Sequence, residues 1–87
     1  MTRLLLVDDD EDNLALFNDA LNNCGFVVDA YSDPVRAFRE FRVNYYDLLI
    51  LDYFMPLDGL ELFRRMRQID RSAKLMLLRG CVDAHQL

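Results

Sequence analysis

Asp47-Leu48-Leu49-Ile50-Leu51-Asp52-Tyr53-Phe54-Met55-Pro56 is the stretch on which the fold turns. Leu48 to Leu51 run without polar alternation, which predicts a strand covered on both faces, as in a parallel α/β sheet. The run stops at a carboxylate, Asp52, and Pro56 closes the turn that follows. Open α/β sheets bind ligands beyond the carboxyl ends of their strands. Taken alone, Asp52 reads equally well as a solvated residue ending a strand.

The start of the chain shifts that balance. Arg3-Leu4-Leu5-Leu6-Val7 is a second apolar run, and it ends in Asp8-Asp9-Asp10-Glu11-Asp12. Two buried parallel strands with these endings bring Asp8, Asp9 and Asp52 to one edge of a sheet. Carboxylates gathered so closely repel one another unless some hold protons or a cation sits among them. An all-oxygen donor set favours a hard divalent ion, and Mg²⁺ is the expected one. Asp10, Glu11 and Asp12 suit the start of a helix, whereas Asp8 and Asp9 come too early for that role alone.

Composition narrows the class. Eighty-seven residues suit one small domain, taken as residues 1–87, and 53% hydrophobic residues suffice for a core. A net charge of −5 gives no reason to expect nucleic-acid or membrane binding. No apolar run approaches transmembrane length, and no secretory leader is recognisable. Cys24 and Cys81 make neither a disulfide framework nor a metal cage, which points to a reducing, cytoplasmic compartment.

In chain order, Leu14, Phe17, Leu21 and Cys24 predict a helical stripe over about residues 11–23, closed by Gly25. Residues 26–31 read as an edge strand interrupted by Asp29. Asp33-Pro34 opens a second helix with Val35, Phe38 and Phe41 buried, and Asn44 is expected to end it. After the central strand, Leu57-Asp58-Gly59 opens a third helix with Leu60, Phe63, Met66 and Ile69 inward. Arg64, Arg65 and Arg67 read as its solvated face rather than a nucleic-acid surface. Lys74 to Leu78 make a fourth buried strand. Strands alternating with helices mean βαβ units and a parallel sheet, whose order is expected to be 2-1-3-4 as in flavodoxin-like folds. Tyr45, Tyr46 and Tyr53 read as packing at the core edge, and His85 as part of a terminal tail.

Leu-Leu-Val-Asp-Asp-Asp near the start, followed by Leu-Ile-Leu-Asp-Tyr-Phe-Met-Pro-Leu-Asp-Gly, resembles the receiver domain of two-component response regulators over nearly the whole chain. The resemblance implies a flavodoxin-like, three-layer α/β/α fold. It implies a phosphoacceptor at Asp52 and Mg²⁺ held by Asp8, Asp9, Asp52 and the backbone carbonyl of Phe54. The implied activity is phosphorelay signalling: a sensor histidine kinase or phosphotransfer protein donates a phosphoryl group to Asp52. Such a domain is a signalling acceptor rather than an enzyme.

Three departures from the family pattern stand out. The fifth strand, with its lysine, and the last helix have no counterpart, so the domain is expected to be incomplete at its C-terminus. Its fourth strand is then expected to be an apolar edge suited to a homodimer or an element-swapped dimer. The Ser or Thr after the fourth strand aligns with Arg79, which reads first as a solvent-facing residue, the sharper alternative being that it reaches the acidic site in place of the missing lysine or pairs with Asp52. The loop from Met55 to Gly59 is one residue shorter than usual, which predicts a tight turn beside Asp52. A degenerate receiver that binds proteins without phosphorylation is the competing reading. A Mg²⁺-dependent phosphatase is disfavoured, because Phe54 stands where a second catalytic carboxylate would be expected.

Overall fold

The computed structural model describes residues 1–78. Arg79, Gly80, Cys81 and His85 lie outside the described residues, and so do the expectations placed on them. Four strands and three helices alternate: β1 (Arg3–Val7), α1 (Glu11–Asn23), β2 (Val27–Tyr31), α2 (Pro34–Arg39), β3 (Leu48–Asp52), α3 (Gly59–Ile69) and β4 (Leu75–Leu78). All strand pairs are parallel and the order is β2-β1-β3-β4. The parallel pairing is what the alternation of runs predicts, and the order is the flavodoxin-like one that the resemblance implies.

The unbroken apolar runs have a direct explanation. Successive strand residues face opposite sides of a sheet, and here both sides are covered. Leu5, Val7, Leu49 and Leu51 pack with Ala37 of α2 and with Leu62 and Met66 of α3. Leu4, Leu6 and Ile50 face the other way, against Leu14 and Leu21 of α1. β1 and β3 are the central strands, and their largest side chains are fully enclosed. β2 is an edge strand, and its interrupting Asp29 is not idle: it accepts a 2.7 Å hydrogen bond from the Tyr46 hydroxyl. Tyr46 also stacks on Phe41. The aromatic pair thus seals the core beside β2.

Helix starts follow the sequence closely. Asp10 caps α1 by accepting from the Asp12 and Asn13 N–H groups, Asp33 caps α2 with Pro34 next in line, and Asp58 caps α3 through the Glu61 N–H. Gly25, at φ +91°, takes the left-handed conformation after α1 that side chains resist.

Helix faces depart from expectation in three places. Leu60, Phe63, Met66 and Ile69 do not form one inner stripe. The buried face of α3 is Gly59, Leu62 and Met66, and Ile69 is 50% exposed. A strict three-residue spacing drifts around a helix of about 3.6 residues per turn, so Leu60 and Ile69 stand on opposite sides. On α2, Pro34 and Ala37 are buried and Val35 is exposed. The helix also stops at Arg39, while Asn44 takes a left-handed φ of 59° in the loop beyond. On α1, Phe17 and Cys24 are exposed, and no residue of this helix is fully buried.

That loop is anchored by a group the sequence did not advertise. Asp70, buried at the end of α3, accepts from the Asn44 N–H at 2.8 Å, the Ser72 N–H at 3.0 Å and the Ser72 hydroxyl at 2.6 Å. The Ser72 hydroxyl first, then the Asn44 N–H, holds this carboxyl below the usual range. Its stabilising effect is complete above about pH 4 and is lost as pH falls through the lowered value.

Two outcomes follow from this packing. Leu62→Ala is expected to cost about 2–5 kcal/mol in urea unfolding, as for other enclosed leucines. Asp70→Ala is expected to cost about 1–3 kcal/mol at neutral pH, because it strands the Asn44 and Ser72 donors. Its difference from the parent chain should shrink in unfolding curves recorded below pH 4.

Candidate functional site

The register of the sheet assembles the site. Val7 of β1 lies beside Leu51 of β3, so the next residues along, Asp8 and Asp52, emerge together at the carboxyl edge. Asp9 follows on the exposed side. One carboxylate oxygen from each of Asp8, Asp9 and Asp52 lies within 4.8 Å of the others, with Asp8 and Asp52 buried. The structure therefore brings together three of the residues singled out in the sequence.

Asp8 is the most constrained of them. Its N–H donates to the Tyr31 carbonyl at 3.1 Å, extending the pairing of β1 with β2 by one residue. Its Oδ1 accepts from the Asp10 N–H at 3.0 Å, which ties it to the start of α1. Its Oδ2 is buried without a hydrogen-bond partner among the described residues. Burial first, with the adjacent Asp52 carboxylate adding to it and the Asp10 N–H pulling the other way, pushes the Asp8 carboxyl up to about 6. A buried carboxylate oxygen with nothing to bond is costly. An oxygen-seeking cation would satisfy it and relieve the repulsion among the three acids. The donor set is all oxygen and all carboxylate, which suits a hard divalent ion.

Asp52 ends β3 and is braced from behind. Its Oδ1 accepts from the Phe54 N–H at 3.1 Å, and the Tyr53 N–H donates to the Leu78 carbonyl at 2.7 Å. The Tyr53 carbonyl accepts from Met55 at 3.2 Å and from Gly59 at 3.4 Å, so the loop folds back on itself as its shortness predicted. Met55 is buried beneath it. The Phe54 ring is 53% exposed and meets the Tyr53 ring edge-on with centroids 5.1 Å apart. Two aromatic side chains therefore stand beside the acidic cluster, open to solvent.

An open groove of about 470 Å³ runs along α3 between Phe63, Arg64, Arg67 and Arg71. It holds no carboxylate of the cluster and no convergent set of polar groups, so the chemistry lies at the sheet edge. The arginines of α3 are solvated, as expected: Arg65 pairs with Glu61 at 3.2 Å and Arg67 donates to the Ala73 carbonyl. Sequence reasoning missed the orphaned Asp8 oxygen and the Tyr31 carbonyl that anchors Asp8. Neither leaves a mark in composition, because both come from the pairing of distant strands. Gly59 was noted only as a helix opener, although Asp-Gly directly after a short loop signals close backbone approach.

Comparison with known proteins agrees with this geometry. A profile of the response regulator receiver domain matches residues 4–85. The receiver protein CpdR of Brucella abortus is 35% identical over 81 residues, covering 92% of this chain and 68% of that protein. The sensor protein EvgS of Escherichia coli is 36% identical over 84 residues, which are 95% of this chain and 7% of that much longer protein. The response regulator TrrA of Thermotoga maritima, solved in complex with Mg²⁺-BeF, superposes with a TM-score of 0.80 and 35% identity, covering 88% of this chain and 68% of that one. A structure of TrrA with the histidine kinase ThkA matches with a TM-score of 0.82 and 33% identity, covering 97% of this chain and 73% of its counterpart. By sequence, fold and the placement of its acidic cluster, this chain belongs to the response regulator receiver domain family.

Proposed function

We propose that this receiver domain takes a phosphoryl group onto Asp52 from a phosphohistidine of a sensor histidine kinase or phosphotransfer protein. The convergence of Asp8, Asp9 and Asp52 within 4.8 Å carries the reading. Two likenesses support it: TrrA has been solved with Mg²⁺-BeF, and also with the kinase ThkA. An Asp52 carboxylate oxygen forms the new bond to phosphorus as the phosphorus–nitrogen bond of the donor breaks, and the departing imidazole nitrogen takes up a proton. Asp8, Asp9, Asp52 and the Phe54 carbonyl are the residues that would hold Mg²⁺, which when bound supplies positive charge against the phosphoryl oxygens. Asp8 has the strongest claim as a ligand, because its Oδ2 has no partner among the described residues. Arg79, placed by sequence directly after β4, is proposed as a cation that reaches the transferred group. The product is a charged surface around Tyr53 and Phe54 for a partner to read, in a cytoplasmic phosphorelay.

Among the described residues β4 pairs with β3 alone, and Met76 on it is 50% exposed. We propose this apolar edge as the seam of a homodimer or element-swapped dimer. Light scattering of the purified 87-residue chain should return twice its 10.2 kDa mass. A monomeric mass at micromolar concentration would remove the idea.

The decisive assay is reaction with acetyl phosphate and Mg²⁺, followed by intact mass. One phosphate adduct is expected on the parent chain and none on Asp52→Asn. A folded parent chain without an adduct would favour the degenerate, binding-only receiver instead.

Asp8 yields a pH signature. The folded chain holds its proton more tightly than the unfolded chain, so the stability this proton confers is complete below about pH 4 and lost as pH rises through about 6. In Mg²⁺-free buffer the chain should lose on the order of 3 kcal/mol across that window. Asp8→Asn should be the more stable form at pH 7, with the gap closing towards pH 4. Mg²⁺ affinity by calorimetry should rise from pH 5 to 7 in the parent and collapse in Asp8→Asn.

A further inference from the structure

We infer that Gly59, the first residue of α3, is a positioning residue for Asp52. The inference rests on Asp52 being the phosphoacceptor. Gly59 is fully enclosed, and a Cβ built on it would press into the Asp52 carbonyl oxygen, lie 2.9 Å from the Asp52 carbonyl carbon and 3.1 Å from Leu77 Cδ2. Real side chains do not approach backbone so closely. The helix therefore rests its own backbone on the peptide group of the reacting residue, with nothing between them.

Neither partner has room to give. Asp52 ends a central strand that is hydrogen-bonded on both sides, to β1 and to β4, and the next residue is fixed by the 2.7 Å bond from the Tyr53 N–H to the Leu78 carbonyl. Across the contact, α3 is held by the Asp58 cap at its start and by Leu62 and Met66 in the core. The loop joining strand to helix is short and doubly closed on the Tyr53 carbonyl. A methyl group at Gly59 must rotate the Asp52 peptide or lever the first turn of α3 away from the sheet. Rotating the peptide carries the Asp52 carboxylate out of register with Asp8 and Asp9, whose oxygens lie within 4.8 Å of it, and levering the helix pulls on Asp52 through the short loop closed on the Tyr53 carbonyl. A misplacement of about 1 Å at a reacting group is enough to slow chemistry by about a hundredfold.

The test compares Gly59→Ala with Met66→Ala, which loosens the same helix two turns away from the carboxylates. Both variants are expected to melt at lower temperature than the parent. Phosphorylation by acetyl phosphate is followed by intact mass at saturating Mg²⁺, over a range of acetyl phosphate concentrations, with rates corrected to the folded fraction by circular dichroism. Gly59→Ala is expected to lower the limiting rate by about ten- to a hundredfold. Its half-saturating acetyl phosphate concentration and the limiting rate of Met66→Ala should stay unchanged. Equal limiting rates in the two variants would overturn the inference, since Gly59 would then serve stability alone. If Gly59→Ala does not fold in buffer, the comparison is repeated in trimethylamine oxide, which strengthens compact states. Failure to fold there, where Met66→Ala does, would also overturn it. A parent chain that takes no phosphate at all would instead contradict the reading of Asp52 as acceptor.

Discussion

Three carboxylates held at one edge of a hydrophobic sheet are the constraint to which the rest of the structure answers. Left to solvent, Asp8, Asp9 and Asp52 would separate. Here the pairing of β1 with β3 puts Asp8 and Asp52 side by side, and the enclosed leucines on both faces prevent either strand from yielding. One oxygen of Asp8 is buried with no donor to meet it among the described residues. Such an arrangement is poor for stability and useful for chemistry, because it leaves the site with an affinity for positive charge. No described lysine or arginine forms an ion pair with the cluster.

The surrounding elements hold this unfavourable grouping still. Asp8 is gripped by the Tyr31 carbonyl on one side and the Asp10 N–H on the other, so the edge strand and the first helix both act on it. Asp52 is gripped by the Phe54 N–H, by the bond from Tyr53 to Leu78, and by the bare backbone of Gly59. α3 is fixed at both ends: at one by contact with the Asp52 peptide, at the other by the buried Asp70 carboxylate that gathers Asn44 and Ser72. A helix fixed at two ends transmits a shift at either one as a rigid body. That property suits a domain whose product is a change of surface near one strand end.

The two motifs were legible because they are local. An apolar run ending in Asp is a strand entering the ligand edge of an α/β sheet wherever it occurs, and Asp10, Asp33 and Asp58 cap helices through hydrogen bonds that span three residues or fewer. The alternation of strand and helix was enough to predict a parallel sheet, and the order β2-β1-β3-β4 was the one implied by the likeness to flavodoxin-like receivers. The helix faces were read less well. Val35 and Ile69 are apolar and were expected inside, but both are exposed. Which side of a short helix turns inward is set by its closest contact with the sheet. For α2 that contact is made by Pro34 and Ala37, and for α3 by Gly59, residues with little hydrophobic weight of their own.

The sequence by itself thus determined the parallel α/β class, the helix starts and the identity of the three acids, since each is encoded in neighbouring residues and in periodicity, while the strand order followed from the family its motifs resemble. Only the tertiary structure decided that one oxygen of Asp8 lacks a partner among the described residues, that Asp70 anchors a loop 26 residues distant in sequence, and that Gly59 lies against Asp52. Those facts depend on ångström-scale distances between strands and helices far apart in the chain. Such distances are fixed by packing the whole core at once, not by any single stretch of residues.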